Sequence, residues 1–441
     1  MYDAGNGERP KVGLVYFDAG GGHRAAAGAL RLVIEQSTPW QVETINLQEM
    51  LDPIDIAKRL TGLRSQDVYN FLLKQGWTRG MTPMLPVLHG VIRLHRRSIV
   101  HLLEPRWRDG PPHVLVSLIP HFNRPLRESF WNIRAAGQFV TILTDLADCP
   151  PHFWIEPPRR NRQQHVVCGT ARAVEQARAA GLGADHVHRV SGMILHPRFY
   201  QPPGMPDLSQ LTRIAKPPGR PGTPEPAGPL EPGEPQEVLD RGRARVRLGL
   251  DPEAVTGLVM FGGQGSSAML EIARRLDASS AGVQLIFICG HNERLRLALS
   301  RGPHRLRRAV VGYTSEVPAW LHLADFFIGK PGPGSLSEAL HMKRPVIVEL
   351  NARTMPQERY NAEWVLEKQV GIVVPNFRHI AGAVERMIRP ENFARFQAHA
   401  ARLKNRAVFE IVDVLRGILE SAAAPDPADP SASPPAHAVA G

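Results

Sequence analysis

Cysteine is scarce in this chain, whose 441 residues include only Cys149, Cys168 and Cys289. The three are far apart and odd in number, so the sequence predicts neither a disulfide framework nor a zinc site. No apolar run approaches the roughly 20 residues that a bilayer-spanning helix needs. The N-terminus also lacks the basic and apolar pattern of a secretion signal. These absences predict a cytoplasmic protein.

Acidic residues are outnumbered, with 42 Asp and Glu against 53 Lys and Arg, and the formal net charge is +11. Such an excess favours an anionic partner, which could be a phosphate-bearing substrate, an anionic lipid or a nucleic acid. The basic residues do not coincide with a helix-turn-helix or an aromatic RNA-binding platform. We therefore expect no nucleic acid among the partners.

What the sequence does contain is a strand that runs directly into a glycine-rich turn, once in each half. The apolar run 12–17 leads into the turn 18–24, and the run 257–261 leads into the turn 262–267. A buried strand, a glycine turn and a helix N-terminus together form a pocket of backbone N–H groups that binds phosphates. Two such pockets predict two similar domains that face each other across a cleft.

Alternating strand and helix patterns in both halves predict parallel sheets covered on two faces. The chain is too long for one ordinary core and suits two domains with a tail. Strands are predicted at 40–47, 113–117, 138–143, 165–168 and 186–190, and then at 283–288, 308–312, 325–328, 345–349 and 371–374. The predicted regions are an N-terminal domain (1–200), a Pro/Gly-rich linker or insertion (201–240), a C-terminal domain (241–390), a long helical stretch (391–421) and a tail of disordered composition (422–441).

The N-terminal turn also fits the dinucleotide-binding pattern G-x-G-x-x-A at 20–25. That pattern expects an acidic residue at the end of the second strand, where it would hold a ribose. Only Glu49 stands near that position. A redox cofactor is therefore not favoured, and the glycines could equally serve close packing of strand against helix.

Two residues in the first half could carry acid–base chemistry. His23 lies at a predicted helix N-terminus, where the positive potential keeps an imidazole neutral and able to accept a proton. The alternative is a histidine that caps the helix or packs structurally. Asp145 follows the 138–143 strand, and the carboxyl ends of parallel strands border ligand crevices. Its alternative role is to form a turn before Pro150.

In the second half, the segment 329–338 reads as a strand exit, a glycine–proline loop and a helix start. Ser335 and Glu338 have the spacing of a capping box, which is a sufficient structural reason for both. A functional alternative is that the loop presents backbone N–H groups while Glu338 accepts both hydroxyls of a ribose. Further on, Gln357 and Glu358 stand at a helix start, where they could bond sugar hydroxyls or simply form solvated surface.

A basic and apolar stretch covers 58–108. A helix with Leu, Val, Phe and Trp on one side and Arg, Lys and His around it can lie on an anionic membrane. Each cation near such a surface contributes on the order of 1 kcal/mol. Ordinary amphipathic helices packed on the sheet would give the same pattern.

These motifs together resemble those of the monogalactosyldiacylglycerol synthases and bacterial processive diacylglycerol glucosyltransferases of glycosyltransferase family 28. The matching segments, in the family's order, are the GGGH loop at 18–27, part of a membrane-binding region at 69–77, Thr144-Asp145-Leu146, the glycine loop at 261–266, and the two donor-site segments at 330–339 and 356–362.

The resemblance implies an α/β GT-B fold, in which two Rossmann-like doubly wound domains face each other across a cleft. The acceptor would bind the N-terminal domain and the nucleotide sugar the C-terminal one, and the final helix would cross back to the first domain. It also implies inverting transfer of a hexose from UDP-galactose, UDP-glucose or UDP-N-acetylglucosamine to a diacylglycerol-type lipid. The protein would act peripherally at the cytoplasmic face of the cell membrane, without a cofactor or metal.

The resemblance further implies roles for individual residues. His23 would be the base, with Asp145 as rival or helper. Glu338 would hold the ribose, the uracil would lie near Val311 and Tyr313, and Ser266 would help to stabilise the leaving diphosphate. The acceptor-side loop would be Gly20, Gly21 and Gly22. The donor-binding residues would be Gly262, Gly263, Gln264, Gly265, Ser266, Val311, Tyr313, Gly332, Gly334, Ser335, Glu338, Gln357 and Glu358.

Two departures from the family pattern leave the choice of donor and acceptor open. Gln264 stands in the phosphate loop where the lipid galactosyltransferases usually carry Glu, and the proline-rich stretch 217–235 looks like an insertion. A UDP-sugar transferase or epimerase that acts on a non-lipid substrate is the alternative. A membrane-associated binding protein without turnover is a third possibility, which the presence of His23, Asp145 and Glu338 disfavours.

Overall fold

A computed structural model describes residues 9–18, 21–51, 90–158, 164–204, 206, 211–212, 240–301 and 304–423. Gly20, the segment 69–77 and most of the predicted linker and tail therefore lie outside the described residues. The predicted strands are all present, with ends within about two residues of the expected ones. The apolar runs of the inner strands explain this agreement, since a strand buried on both faces needs such residues throughout. The mixed strands Gln41–Asn46 and Val187–Arg189 lie at the two edges of the first sheet.

Strands and helices alternate along the first domain. Its elements are β1 (Lys11–Tyr16), α1 (Gly22–Ser37), β2 (Gln41–Asn46), α2 (Leu47–Leu51), α3 (Arg96–Arg108), β3 (Val114–Ser117), α4 (Asn123–Ile133), β4 (Gln138–Ile142), β5 (His165–Cys168), α5 (Ala171–Ala179) and β6 (Val187–Arg189). Short 3-10 helices lie at Ala184–His186 and Pro197–Tyr200.

The rest of the chain repeats the alternation and forms the second domain, except that its last helix packs on the first domain. Its elements are β7 (Leu211–Thr212), α6 (Arg241–Arg247), β8 (Val255–Met260), α7 (Ala268–Asp277), β9 (Val283–Ile288), α8 (Glu293–Ser300), β10 (Arg308–Val311), α9 (Val317–Leu323), β11 (Phe326–Gly329), α10 (Pro333–His341), β12 (Val346–Glu349), α11 (Pro356–Glu367), β13 (Gly371–Val374), α12 (Ile380–Met387), α13 (Pro390–Arg402) and α14 (Ala407–Ala423). A 3-10 helix lies at Phe377–His379.

Both sheets reverse their strand order beside the first of their parallel strands, which is β1 in the first sheet and β8 in the second. The first sheet has the order β2-β1-β3-β4-β5-β6 and is parallel throughout. The second has the order β13-β12-β11-β8-β9-β10-β7 and is parallel except for β7. The reversals fall between β1 and β3 and between β8 and β11, and ligands bind at such points, outside the carboxyl ends of the strands. The predicted α/β class with two doubly wound domains is confirmed.

The end of the chain connects the domains. α13 packs on the second domain through Phe396, whereas α14 buries Val408 and Ile411 in the core that covers the first sheet. Between them, Asn405 Nδ2 donates to the Met193 carbonyl at 2.9 Å and Asn405 Oδ1 accepts from the Ala407 N–H at 3.0 Å. The single long helical stretch predicted at 391–421 is therefore two helices, because Asn405 caps a new helix as the chain changes domain.

Within the described residues, none of the helices combines the length and apolar character required to cross a bilayer. The predicted membrane-associating stretch 58–108 is described only from residue 90 onward, where it includes α3.

A group of three histidines lies where β5 begins and predicts acid sensitivity. His165 Nδ1 lies 3.0 Å from His188 Nε2, and the His165 ring stacks on His186 with centroids 4.8 Å apart. Burial, followed by the charges of His188 and His186, lowers the pKa of His165 from 6.5 to about 3. The unfolded chain binds this proton more readily, so the stability contribution is complete above the ordinary pKa and is lost as pH falls below it.

We expect the free energy of unfolding to drop by about 2 kcal/mol from this residue between about pH 6.5 and pH 5. Urea denaturation at the two pH values measures the drop, and His165→Gln should flatten it. An unchanged pH dependence in His165→Gln would show that His165 is not responsible.

Candidate active site

The loop after β1 places His23 at the carboxyl edge of the first sheet. Gly21 takes a left-handed conformation, with φ of 81°, immediately before α1. His23 Nδ1 lies 3.2 Å from Thr144 Oγ1, and the ring also bonds the backbone of Leu118. Burial lowers the pKa of His23 to about 4, against the smaller effect of the Leu118 bond. The imidazole is therefore neutral at pH 7, with burial as the leading cause rather than the helix N-terminus alone.

Asp145 and His23 share a neighbour, Trp154. Trp154 Nε1 donates to Asp145 Oδ2 at 2.9 Å, and the Trp154 ring centroid is 5.9 Å from that of His23. Asp148 forms the local turn, since its carboxylate accepts from the N–H groups of His152 at 2.9 Å and Trp154 at 2.6 Å. The turn-forming role considered for Asp145 therefore falls to Asp148. No motif in the sequence pointed to Trp154.

The pKa of Asp145 is raised to about 7, first by burial. The Trp154 hydrogen bond opposes this rise, while the charge of Glu358 adds to it and the charge of Lys330 lowers it. Glu358 and Lys330 belong to the second domain. Residues of the two domains thus influence each other electrostatically across the cleft.

The glycine turn 262–267, which the sequence predicts to be the phosphate loop, lies between β8 and α7. Gly262 and Gly265 have left-handed backbones, with φ of 73° and 61°, and Gly265 N donates to the Gly262 carbonyl at 3.2 Å. Ser266 Oγ accepts from the Ala268 N–H at 3.2 Å. Ser267 is the N-cap and makes no side-chain capping bond. The loop can therefore offer backbone N–H groups to an anion at the start of α7.

The turn after β9 forms hydrogen bonds with this loop. The sequence did not reveal these contacts. His291 N donates to the Gly263 carbonyl at 2.8 Å, and Asn292 Nδ2 donates to the Gln264 carbonyl at 3.4 Å. The His291 ring stacks on Tyr313 with centroids 4.1 Å apart. The loops after β8, β9 and β10 are thus joined at one edge of the sheet.

Tyr313 and Val311 differ in their access to a ligand. Tyr313 is 49% exposed, whereas Val311 is fully buried in the core. The Val311 side chain packs inward from strand β10, so a base can reach only the backbone at this position, and the assignment of Val311 as a binding residue stays a prediction.

Gly290 provides a test of the phosphate loop. Its φ is +59°, and a Cβ there would lie only 2.2 Å from the Gly263 carbonyl oxygen. We expect Gly290→Ala to lower the free energy of unfolding by about 2 kcal/mol through strain and displacement of the loop. Thermal unfolding measures the loss. Gly282→Ala is the matched control, since a Cβ there has nothing within 4 Å; equal losses in the two variants would contradict this account.

The capping box proposed for Ser335 and Glu338 is wrong. α10 begins at Pro333 with Gly332 as its N-cap and no side-chain capping bond. Pro333 at the first helical position starts the helix three residues earlier than the S-x-x-E pattern requires, since that pattern would make Ser335 the N-cap. Ser335 and Glu338 therefore lie inside the helix, where neither is needed to cap it.

Glu338 is half-buried, and within the described residues its carboxyl has no hydrogen-bond or ion-pair partner. Burial alone raises its pKa to about 7. A ligand that donates hydrogen bonds to such a carboxyl group would stabilise its ionised form.

Gln357 and Glu358 begin α11, directly beside the loop after β11. Lys330 Nζ donates to Glu358 Oε1 at 2.6 Å, and Glu358 is only 8% exposed, so the solvated-surface alternative does not hold for it. Gln357 Oε1 is buried without a partner in the described part of the chain. A Cβ on Gly332 would lie 3.6 Å from both Glu358 Oε1 and Ser335 Oγ, whereas one on Gly334 would meet open space.

Taken together, one wall of the cleft carries a neutral imidazole and a buried carboxyl group. The other wall carries backbone N–H groups, a lysine and carboxyl groups suited to hydroxyls. Across the described ranges, His, Cys, Asp and Glu side chains nowhere gather in threes or more in a way that could hold a metal ion. The chemistry that fits is displacement of an anionic leaving group by an activated hydroxyl.

The two-domain arrangement is that of the GT-B glycosyltransferases. It is shared with the crystal structure of MurG from Acinetobacter baumannii, which superimposes with a TM-score of 0.51 at 10% identity, over 93% of this chain and 100% of that one. The predicted GT-B fold is confirmed. No family model matches the sequence.

Relatives that match most of this chain have higher sequence identity to it. The chain is 25% identical over 438 residues to the probable monogalactosyldiacylglycerol synthase 2, chloroplastic, of Oryza sativa subsp. japonica, covering 90% of this chain and 78% of that one. It is 26% identical over 429 residues to monogalactosyldiacylglycerol synthase 1, chloroplastic, of Arabidopsis thaliana, covering 92% and 70%. The resemblance seen in the motifs is confirmed, and the chain is a glycosyltransferase of the GT-B type related to these synthases.

Proposed function

We propose that this protein transfers a hexose from a UDP-sugar to the hydroxyl of a diacylglycerol-type lipid, with inversion at the anomeric carbon. The observation that carries the proposal is the electrostatic influence of Lys330 and Glu358, in the second domain, on Asp145 in the first. Asp145 in turn shares the neighbour Trp154 with His23. The names of the relatives, which are monogalactosyldiacylglycerol synthases, support a lipid acceptor.

In this proposal, His23 removes the proton of the acceptor hydroxyl as that oxygen attacks the anomeric carbon. The bond from the sugar to the diphosphate breaks with inversion, and UDP leaves. Asp145 is the helper or the rival base, because its raised pKa keeps it close to the point of ionisation at pH 7.

The departing diphosphate gains negative charge, which the backbone N–H groups at 262–267 and Ser266 stabilise. Lys330 adds a positive charge on the same side of the cleft. Glu338 holds the ribose, and Gln357 and Glu358 hold the sugar hydroxyls. Tyr313, stacked on His291, provides a flat face for the uracil.

The lipid acceptor requires contact with a membrane. We place the protein peripherally at the cytoplasmic face, because the net charge of +11 favours an anionic surface. The UDP-sugar is a co-substrate, and the proposed reaction requires no cofactor or metal.

Incubation with UDP-galactose, UDP-glucose or UDP-N-acetylglucosamine and vesicles containing diacylglycerol tests the proposal. Mass analysis of the lipids should find a hexosyl-diacylglycerol with one of the three donors, together with released UDP. UDP release without a glycolipid would point to a non-lipid acceptor, and the absence of both products would contradict glycosyl transfer to this lipid.

A further inference from the structure

The chain passes between the two domains twice, and the two crossings touch each other. The first crossing follows β6, where Val190 belongs to the core of the first sheet and Leu195 and Phe199 belong to the core of the second. The second crossing lies between α13 and α14. Contacts between the crossings therefore influence how the two walls of the cleft face each other.

Asn405 joins the two crossings through its side-chain amide. Its Nδ2 donates to the Met193 carbonyl at 2.9 Å. A Cβ on Gly192 would lie only 2.7 Å from Asn405 Cγ, so glycine at position 192 permits this close approach. The oxygen of the same amide caps α14 by accepting from the Ala407 N–H at 3.0 Å. The side chain therefore has two roles, and each role uses a different atom.

Two further hydrogen bonds join the same crossings. Arg406 N donates to Ser191 Oγ at 2.7 Å, and Ser191 N donates to Glu410 Oε2 at 2.6 Å. Both of these bonds are exposed to solvent, whereas the bond from Asn405 to Met193 is partly buried. Because a hydrogen bond is electrostatically stronger away from water, the Asn405 amide makes the firmest of the three connections.

The first crossing also contacts the segment that carries Asp145. Met193 packs so closely on the first domain that a Cβ on Gly169 would collide with Met193 Cε. The next residue, Thr170, donates from its Oγ1 to the Leu146 carbonyl at 2.5 Å. Leu146 and Met193 both belong to the buried cluster that forms a core of the second sheet. The position of Asp145, directly before Leu146, therefore depends on where the first crossing lies.

The donor wall is connected to the same crossing. His341 Nε2 hydrogen-bonds the Phe199 carbonyl at 3.0 Å. The Tyr200 ring contacts the rings of His341 and Phe409, with centroids 4.7 Å and 4.9 Å away. His341 ends α10, the helix that carries Glu338, and Phe409 belongs to α14. The first crossing thus contacts elements of both walls.

We propose that Asn405 is a positioning residue for sugar transfer, because its amide holds the two crossings together and so fixes Asp145 relative to the donor wall. Transfer requires both walls in place, since a displacement of about 1 Å between reacting groups can lower the rate on the order of 100-fold. The proposal rests on the proposed function for the reaction itself. The arrangement of the domains can be measured without any turnover.

Asn405→Asp separates the two roles of this side chain. A carboxylate still accepts from the Ala407 N–H and is a good helix cap, but it cannot donate to the Met193 carbonyl and repels that oxygen. We expect kcat to fall about tenfold with little change in the unfolding temperature. UDP affinity should stay nearly constant, because the loop proposed to bind the diphosphate lies within the second domain. Steady-state kinetics, thermal unfolding and calorimetric titration with UDP measure the three quantities.

Distances between spin labels test the contact between the crossings directly. One label at Gln36→Cys, on α1, and one at Glu385→Cys, on α12, occupy exposed positions in different domains. The partly exposed Cys149 is replaced by serine in this background. We expect Asn405→Asp to broaden the distance distribution between the labels. An unchanged distribution in this variant would overturn the proposal.

Asn376→Asp is the matched control. Asn376 caps the 3-10 helix at Phe377–His379 by accepting from the Arg378 N–H at 3.0 Å, and it lies after β13 in the second domain. We expect neither kcat nor the distance distribution to change in this variant. Equal changes in the two variants, or a broader distribution in Asn405→Asp with unchanged kcat, would contradict the positioning role. If the unmodified protein transfers no hexose, the proposed function fails, whereas the distance distributions still decide whether Asn405 holds the domains together.

Discussion

Replacement of His23 by alanine is expected to lower kcat about a thousandfold while UDP affinity stays nearly constant. UDP affinity should stay constant because His23 belongs to the first domain, whereas the loop proposed to bind the diphosphate belongs to the second. Loss of a base removes an interaction made only in the transition state and so reduces kcat and kcat/KM together. Steady-state kinetics and calorimetric titration with UDP measure the two quantities.

The exposed His101, on α3, offers a control, because its replacement by alanine removes an imidazole outside the cleft. Equal losses of turnover and UDP affinity in His23→Ala would count against the base and favour a structural role for the ring.

The pH dependence of turnover distinguishes His23 from Asp145 as the base. The pKa of His23 is lowered to about 4, so this ring stays unprotonated over the whole neutral range. The pKa of Asp145 is about 7, so a step that needs its carboxylate would slow as pH falls through that value. A loss of turnover near pH 7 that disappears in Asp145→Asn would assign the base to Asp145.

The fold could be predicted because its signals are local. β9, with the sequence VQLIFI, is apolar at nearly every position and buried throughout, which is typical of a strand covered on both faces. The glycine turns after β1 and β8 are equally local, because left-handed backbones at Gly21, Gly262 and Gly265 favour that residue type.

The site was only partly predictable because its contacts join distant parts of the chain. Lys330 meets Glu358 across 28 residues of sequence, and His23 lies beside Thr144 across 121 residues. No spacing rule links such pairs. The sequence therefore identified residues at strand ends but missed Trp154, Lys330 and His291, which orient or brace them.

Where sequence reasoning failed, a stronger local constraint was present. The S-x-x-E pattern at Ser335 suggested a helix start, but Pro333 begins the helix earlier, since its ring fixes the backbone in a helical conformation. This error matters for function, because helix capping would have explained the presence of Glu338. In the fold Glu338 has no such capping role.

Replacement of Glu338 by alanine is therefore expected to weaken UDP binding about fiftyfold or more, through loss of two hydrogen bonds from ribose hydroxyls to a charged acceptor. Calorimetric titration measures the affinity. Glu385→Ala is the matched control, since Glu385 is an exposed carboxylate of the same domain on α12. Similar affinities in Glu338→Ala and the unmodified protein would place the ribose elsewhere.

The pH dependence of UDP binding adds a sharper test of Glu338. Burial raises its pKa to about 7, so the empty site is partly protonated at neutral pH. The ribose hydroxyls bond the carboxylate better than the neutral acid, so UDP binding should release a proton. Affinity should then fall as pH decreases through about 7 and level off above it. Glu338→Gln keeps the shape but cannot ionise, so this pH dependence should vanish in the variant; its persistence there would assign the proton to another group.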